Sequence, residues 1–123
     1  MTAQQPSLDQ LFAAIDALNT EEFLGWLAPD AVFQFGAAPP VCGKEAIGIA
    51  VGEFFKTIAG VKHDIGNHIR NGAMLACEGR VTYRRHDDST ITLPFANFFE
   101  LDGSLIRGYR IYVDIGPLYA SPQ

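Results

Sequence analysis

The sequence predicts an α+β domain in which helices cover one face of a curved antiparallel sheet. Apolar residues recur at helical spacing in the first half of the chain, and from Val61 onward they alternate with polar residues, as in strands. The pairs Asn71-Gly72 and Asp102-Gly103 are strong signals for tight hairpin turns between those strands. Helices gathered on one side of such a sheet form a cone with an open mouth.

Three helices and one short strand are predicted in the first half. Ser7 begins a capping box ahead of the first helix, and Thr20 is predicted to cap a second, short helix that ends before Pro29. Residues 31–35 alternate in the manner of a strand. The third helix is predicted over residues 43–59, where apolar residues return at helical spacing.

Four strands are predicted to follow as a meander. Their expected ranges are 61–71, 74–85, 89–101 and 104–115. Pro94 lies inside the third of them. Because proline donates no ladder hydrogen bond, we expect a bulge or a sheet edge at that position.

The composition indicates one domain over residues 1–123, with an ordered core at about residues 7–119. A chain of 123 residues, 48% of them hydrophobic, can bury a core without disulfide bonds. The net charge is −5, and the nine basic residues are scattered. A nucleic-acid partner is therefore not expected, because such a surface needs clustered lysine and arginine.

The sequence also predicts a cytoplasmic protein with no membrane partner. No segment approaches the roughly 18 consecutive apolar residues of a membrane span, and the first ten residues lack the pattern of a signal peptide. Cys42 and Cys77 have neither metal-ligand spacing nor the density of a disulfide scaffold. They are predicted to be free thiols in a reducing compartment.

Alternation along the strands predicts which apolar side chains face the inside of the cone. If Phe95 and Asn97 face inward, Tyr109 and Ile111 should share that face across the hairpin. The side chains predicted to line the pocket and contact a small, largely apolar ligand are Phe33, Phe35, Phe95, Tyr109 and Ile111.

The same alternation gives the polar groups of the predicted pocket. His63 and Asn67 share a face of the first meander strand, and Glu78 and Arg80 share a face of the second. A histidine beside Glu78 would be a general base near neutral pH, so His63, Glu78 and Asn97 are predicted to be catalytic. Asn67 and Arg80 are predicted to bind substrate. The alternative is that the charged residues form an ordinary ion pair of a sheet.

Two segments carry a family resemblance: WLAPDAVFQF, after two predicted helices, and DGSLIRGYRIYVDIGPL. They resemble the SnoaL-like branch of the NTF2-like superfamily, which includes ketosteroid isomerases, limonene-epoxide hydrolases and polyketide cyclases. The resemblance implies an NTF2-like cone, with a curved antiparallel sheet packed on three N-terminal helices. It also implies a homodimer through the outer sheet face, where Arg110, Tyr112 and Asp114 are predicted to lie.

Most working residues of these relatives have no counterpart here. Ala14 stands where the resemblance places the oxyanion-hole tyrosine of the isomerases, and Phe35 where it places their carboxylate base. Asn97 stands where they keep a protonated aspartate, and an amide there can also donate a hydrogen bond. Thr82 and Ile111 replace the two aspartates of the epoxide hydrolases. The carboxylate base of the polyketide cyclases has no clear match.

No cofactor and no metal are predicted. The phosphate-loop, dinucleotide-turn, nucleophile-elbow and zinc-helix motifs do not occur in the sequence. His86, Asp87 and Asp88 are adjacent residues of a turn, where their side chains would splay apart.

These observations predict a SnoaL-like protein whose cone holds a small apolar, oxygen-bearing molecule. If it is an enzyme, cofactor-free acid-base chemistry such as isomerisation, cyclisation or dehydration is expected. The alternative is a ligand-binding or accessory protein without turnover, which the missing carboxylates favour. A third class, an interaction module that uses the outer sheet, has no motif of its own.

Overall fold

The computed structural model describes residues 8–120 of the chain, which include four helices. The helices are α1 (Leu8–Asp16), α2 (Thr20–Leu24), α3 (Lys44–Lys56) and α4 (Gly116–Tyr119). The first three match the predicted helices, and α1 buries Leu11 and Phe12 from its apolar stripe. No pattern indicated α4, which is too short to show helical periodicity. Ser7, predicted to cap α1, lies outside the described residues.

The cap of α2 lies one residue before the predicted position. Asn19 has an extended backbone, and its side-chain Oδ1 accepts a hydrogen bond from the backbone N–H of Glu22 at 3.0 Å. Thr20, the predicted cap, is the first helical residue. Both residue types cap helices, so composition did not distinguish the two positions.

Six strands form one sheet, in the order β2-β1-β6-β5-β4-β3. They are β1 (Leu27–Phe35), β2 (Val41–Cys42), β3 (Gly60–Asn71), β4 (Met74–Arg84), β5 (Thr90–Asp102) and β6 (Leu105–Val113). The predicted meander is confirmed, because β3, β4, β5 and β6 pair antiparallel in sequence order.

The sheet is mixed, which corrects the prediction of an antiparallel sheet throughout. β1 runs parallel to β6, with Phe33 opposite Tyr109 and Phe35 opposite Ile111. A parallel pair needs a long crossover, and here α3 and three strands of the meander lie between the two. On its other side β1 pairs with β2, a two-residue strand for which no strand was predicted.

Both hairpins turn one residue later than predicted. Asp102 still pairs with Leu105, which leaves Gly103 and Ser104 as the loop. Gly103 has a φ of 61°, and Gly72 has a φ of 59° at the same place in the other hairpin. In each hairpin the glycine therefore supplies the left-handed backbone at the first loop position. The residue before it, Asn71 or Asp102, remains paired in the ladder.

Pro94 lies at a sheet edge, the second of the two expectations for it. It is in regular register with Arg80 on β4, so no bulge occurs there. On the other side of β5, the ladder with β6 begins only at Phe95, which pairs with Val113. At Pro94, β5 thus has a neighbour on one side only, which is where a strand tolerates proline.

Arg85 fastens α4 to the end of the sheet. Its Nε donates a hydrogen bond to the carbonyl of Leu118 at 2.9 Å, and its Nη2 donates to the carbonyl of Pro117 at 2.9 Å. Leu118 is buried in the core that the inner face of the sheet shares with the helices. The guanidinium thus donates to carbonyl groups at the end of a short helix, where charge-assisted hydrogen bonds are strong.

Candidate functional site

A cavity of about 250 Å³ lies between the inner face of the sheet and the helices. Its wall includes all five apolar residues predicted to contact a ligand: Phe33, Phe35, Phe95, Tyr109 and Ile111. The polar side chains of the wall include His63, Tyr83 and Asn97. Apolar walls with a few polar groups are the usual form of a small-molecule site.

His63 reaches the cavity from β3 and is held by Asp16 at the end of α1. Its Nδ1 donates a hydrogen bond to Oδ1 of Asp16 at 2.7 Å, and its backbone N–H donates to Oδ2 of the same carboxylate at 3.1 Å. The side chain of His63 is 11% exposed. Because the carboxylate accepts from Nδ1, the neutral imidazole keeps its proton there and carries a lone pair on Nε2.

Two buried phenylalanine rings pack against the imidazole of His63. The ring centroid of Phe12 lies 4.6 Å from that of His63, and the ring of Phe95 lies 5.2 Å away at an interplanar angle of 88°. Nε2 makes no hydrogen bond within residues 8–120. A fixed imidazole with a free Nε2 at an apolar cavity has the arrangement of a general base.

Asn97 lies in the middle of β5 and lines the same cavity. The residue is 1% exposed, and its Oδ1 has no hydrogen-bond partner among the described residues. Buried amide oxygens are ordinarily bonded. This atom therefore marks a position where a bound molecule can supply the missing donor.

Burial keeps three further groups on the inner face neutral. It raises the pKa of the Cys77 thiol to about 11, and a hydrogen bond from the backbone of Asn97 opposes that shift only in part. Burial, with Cys77 and Tyr83 nearby, holds the pKa of the Tyr109 hydroxyl well above its usual value. Burial and the nearby Tyr119 raise the pKa of Tyr83 as well. Both phenols therefore remain protonated near neutral pH.

The prediction that Glu78 and Arg80 point into the cavity is wrong. On β4, Cys77, Val81 and Tyr83 face inward and are buried, whereas Glu78 and Arg80 are exposed on the outer face. The inner face of β4 packs on the core, so the alternate residues that are apolar must take that side. Neither charged group can act in the cavity.

Asn67 also lies on the outer face, because a bulge reverses the alternation of β3. The register with β4 shifts between Ile65 and Asn67, which makes Gly66 the extra residue. Asn67 donates a hydrogen bond from Nδ2 to Oε2 of Glu78 at 3.1 Å. The prediction that Asn67 shares the inner face with His63 is therefore wrong.

Asp16 and Tyr83 belong to the site but not to the set predicted from the sequence. Asp16 lies four residues after Phe12, beside the apolar stripe of α1, and this spacing is the signal that would have placed it near the core. Nothing in the sequence pairs it with His63, which is 47 residues away. Tyr83 lies on the face of β4 opposite to Glu78 and Arg80, so a correct assignment of the inward face would have included it.

The structure places apolar residues at most positions carried over from the relatives. Ala14 is 1% exposed in the core, and Phe35 and Ile111 line the cavity. Thr82 lies on the outer face, where its hydroxyl is hydrogen bonded to that of Thr92 at 2.8 Å. The His63–Asp16 pair thus differs from the acid-base residues of both the isomerases and the epoxide hydrolases.

Arg110 and Tyr112 lie on the outer sheet face, as predicted. The ring of Tyr112 packs edge-to-face on Phe98, with centroids 5.8 Å apart, and Arg110 donates a hydrogen bond to Glu100 at 3.2 Å. Asp114 follows β6 and accepts a backbone hydrogen bond at 3.1 Å from the first residue of α4. None of the three side chains lines the cavity.

The described part of the chain, residues 8–120, has no helix with the length and hydropathy that a bilayer span requires. It contains no group of three or more His, Cys, Asp or Glu side chains that could hold a metal ion. In the turn after β4, His86 is hydrogen bonded to the carbonyl of Lys56, and Asp88 pairs with Arg84.

The fold is an α+β cone with a cavity between its sheet and its helices. The profile of the SnoaL-like domain family matches residues 8–109, and the chain belongs to this family. The predicted resemblance and the predicted cone are thereby confirmed. Comparison with curated proteins gave no match.

Solved structures with the same fold include three informative examples. TerC, co-crystallised with polyporic acid, has a TM-score of 0.79 and 14% identity, covering 91% of this chain and 92% of TerC. A hypothetical protein from Catenulispora acidiphila with a ketosteroid isomerase-like fold, in complex with trimethylamine, has a TM-score of 0.79 and 18% identity, covering 89% of this chain and 86% of that protein. An LEH-like epoxide hydrolase from M. tuberculosis has a TM-score of 0.75 and 16% identity, covering 88% of this chain and 80% of the hydrolase. At these identities the likeness shows the fold alone.

Proposed function

We propose that this chain is a cofactor-independent enzyme that moves a proton on a small, largely apolar, oxygen-bearing compound, as an isomerase, cyclase or dehydratase does. The observation that carries the proposal is the 2.7 Å hydrogen bond between His63 and Asp16 at the wall of an apolar cavity. A neutral imidazole oriented by a carboxylate is a general base that works near neutral pH.

The proposed chemistry uses His63 as both base and acid. Nε2 takes a proton from a C–H or O–H group of the ligand, and Asp16 stabilises the imidazolium that forms. The neutral hydroxyls of Tyr83 and Tyr109 are the nearby donors for negative charge that develops on the ligand oxygen. Return of the proton to another ligand atom gives isomerisation, and its delivery to a leaving hydroxyl gives dehydration with release of water.

The size of the cavity supports a ligand with one substituted ring or two small fused rings. A dry cavity of roughly 150 Å³ is enough for benzene. The cavity here is about 250 Å³, and aromatic side chains supply much of its wall. Two structures of the same fold hold an organic molecule, polyporic acid in TerC and trimethylamine in the Catenulispora protein.

Proton exchange in deuterated water tests the proposed function. A panel of cyclic ketones, hydroxyketones and lactones is incubated with the wild-type chain and with the variant His63→Gln, and deuterium incorporation is followed by NMR. We expect the wild type to accelerate exchange or conversion of at least one compound and His63→Gln to show only the buffer rate, because the variant has no general base.

Two results of that experiment would contradict the proposal. One is equal exchange by the wild type and His63→Gln. The other is that compounds of the panel raise the melting temperature of the wild type, but none of them undergoes exchange or conversion. The second result would favour the alternative function, a ligand-binding or accessory protein with the same cavity.

We also propose that the outer sheet face binds a second copy of the chain. Four large apolar side chains are exposed on this face: Val32, Ile69, Phe98 and Tyr112. The face also carries charges of both signs, including Arg110 and Glu100, so a two-fold arrangement can bring opposite charges together.

The substitution Phe98→Glu is expected to convert the dimer into a monomer, because it places a carboxylate in the apolar centre of the outer face. Light scattering after size-exclusion chromatography should give the wild type twice the 13.4 kDa of one chain and the variant about 13.4 kDa. Ile49→Glu is the matched control, since Ile49 is an exposed apolar residue on α3. A monomeric wild type would contradict the proposal.

The cytoplasm remains the proposed location. Cys42 is exposed and Cys77 is buried, and both are free thiols. Free thiols persist in reducing compartments, which is consistent with this proposal.

A further inference from the structure

We infer that the cavity selects ligands that carry a hydroxyl group, because Asn97 presents a buried hydrogen-bond acceptor that the protein itself leaves without a donor. This inference specifies the substrate class of the site described above. It rests on the proposed function only for the reaction that follows binding.

Asn97 is the one buried polar side chain other than tyrosine and cysteine within residues 8–120. It is 1% exposed, lines the cavity and has an Oδ1 with no hydrogen-bond partner among the described residues. A buried polar atom without a partner is costly, and such atoms are few in natural proteins. A polar residue at this position is therefore expected to serve a bound molecule.

The neighbours of Asn97 cannot supply the missing donor. Cys77 and Ile111 lie opposite it on the two adjacent strands, and Phe95 and Phe99 precede and follow it on the same face of β5. Three of the four side chains are hydrocarbon, and the fourth is a thiol, which is a weak donor. The hydroxyls of Tyr83 and Tyr109 belong to the same wall and are not bonded to Oδ1 either, so a ligand can supply the donor.

An amide oxygen accepts hydrogen bonds, so it distinguishes ligands by what they donate. A ketone, an ether or an ester offers only acceptors to this atom, whereas an alcohol, phenol or enol offers an O–H. An ammonium group would have to leave water for an apolar wall that includes no carboxylate, and the carboxylate of Asp16 is already bonded to His63. The chemistry of the wall therefore favours a neutral hydroxyl over a cation.

Asn97 and His63 have a common neighbour, which places the hydroxyl near the proposed base. Phe95 is two residues before Asn97 on the same face, and its ring packs edge-on against His63 at 5.2 Å. A ligand ring lying along Phe95 can hold its hydroxyl on Asn97 and present another of its atoms to Nε2. The inferred substrate class is accordingly a small cyclic alcohol, phenol or enol.

Titration calorimetry with 1-tetralol and 1-tetralone tests the inference. The two probes share a carbon skeleton, but the first carries a hydroxyl group where the second carries a carbonyl group. We expect the wild type to bind the alcohol at least about tenfold more tightly than the ketone, because the ketone leaves Oδ1 unpaired. Asn97→Leu should reduce that preference to about twofold or less, because leucine has a similar shape and no acceptor. Asn97→Asp should keep the preference, because an acceptor oxygen remains.

His63 has its own acceptor, Nε2, so the variant His63→Gln is included. It should keep the preference for the alcohol while losing proton transfer, which separates failure of this inference from failure of the proposed function. Equal or tighter binding of the ketone by the wild type would overturn the inference, and so would a preference that disappears in His63→Gln but persists in Asn97→Leu. If Asn97→Leu does not fold, the wild-type ratio and Asn97→Asp decide the outcome. Absence of alcohol binding at millimolar concentration would also overturn it.

Discussion

Replacing Asp16 with asparagine is expected to slow the proposed proton transfer by about 10²- to 10⁴-fold while the chain remains folded. Asp16 uses both carboxylate oxygens on His63, one for the ring Nδ1–H and one for the backbone N–H. An asparagine can keep the backbone bond through its carbonyl oxygen. Its amide group then faces Nδ1 as a donor, where the carboxylate had been an acceptor.

Replacing the acceptor oxygen beside Nδ1 with an amide donor reverses the tautomer of His63. With an amide donor beside it, Nδ1 must accept, and the proton of the neutral ring moves to Nε2. Nε2 is the ring nitrogen without a hydrogen bond in the described residues and the proposed base. A protonated Nε2 cannot accept a proton, so the geometry is retained and the chemistry is lost. Asp16 is therefore a positioning residue that acts through His63.

The turnover rate and the ¹⁵N chemical shifts of the His63 ring are the two measurements. The shifts should show the Nδ1–H tautomer in the wild type and the Nε2–H tautomer in Asp16→Asn, a change that a loss of packing alone would not produce. The double variant of Asp16 and His63 should be no slower than His63→Gln alone, because the two act as a unit. Asp9→Asn, on the exposed first turn of α1, is the matched control. Full activity in Asp16→Asn with an altered tautomer would contradict the role of Nε2.

The strand alternation was enough to predict most of the apolar wall of the cavity. On β5, Phe95 and Asn97 pair with Val113 and Ile111 of β6, and the register is regular from Phe95 to Glu100 before it shifts between Glu100 and Leu101. Away from that shift, this part of the site depends on local alternation and one hairpin. Both features can be read from neighbouring residues in the sequence.

The acid-base pair could not be predicted in the same way. Asp16 and His63 meet because α1 packs across β3, and a contact between residues 47 apart leaves no trace in local periodicity. The error at Glu78 has a different cause. Alternate side chains of β4 form one polar face and one mainly apolar face, and the packing of the apolar face on the core decides which of the two points inward. At Asn67, the bulge at Gly66 reversed an alternation that is otherwise regular.

The substitution Gly79→Ala is expected to lower the free energy of unfolding by about 3 kcal/mol or more, because Gly79 lies opposite the bulge of β3. A Cβ atom at this position would overlap the carbonyl oxygen of Asp64 and lie 3.0 Å from the backbone nitrogen of Gly66. These are backbone atoms of a paired strand, so they cannot turn aside as a side chain can. Relief requires β3 and β4 to separate, which breaks ladder hydrogen bonds.

Gly66→Ala is the matched control, because Gly66 is the extra residue of the same bulge. Its added Cβ would lie 3.5 Å from the nearest atom, the carbonyl oxygen of Glu78, which is an ordinary contact. We expect a change within about 1 kcal/mol for this variant, measured from urea unfolding midpoints at constant slope. Equal losses in the two variants would mean that glycine flexibility, and not the close approach at Gly79, sustains the bulge.

The bulge also connects stability to the site. It allows β3 to present His63 to the cavity and, four residues later, Asn67 to the outer face. Any Gly79→Ala protein that folds must shift β3 beside His63, so we expect it to lose the 2.7 Å bond to Asp16 together with proton transfer. Gly66→Ala should retain both. A folded Gly79→Ala variant with the wild-type His63 ring shifts would show that the close packing of β3 on β4 is not what positions the base.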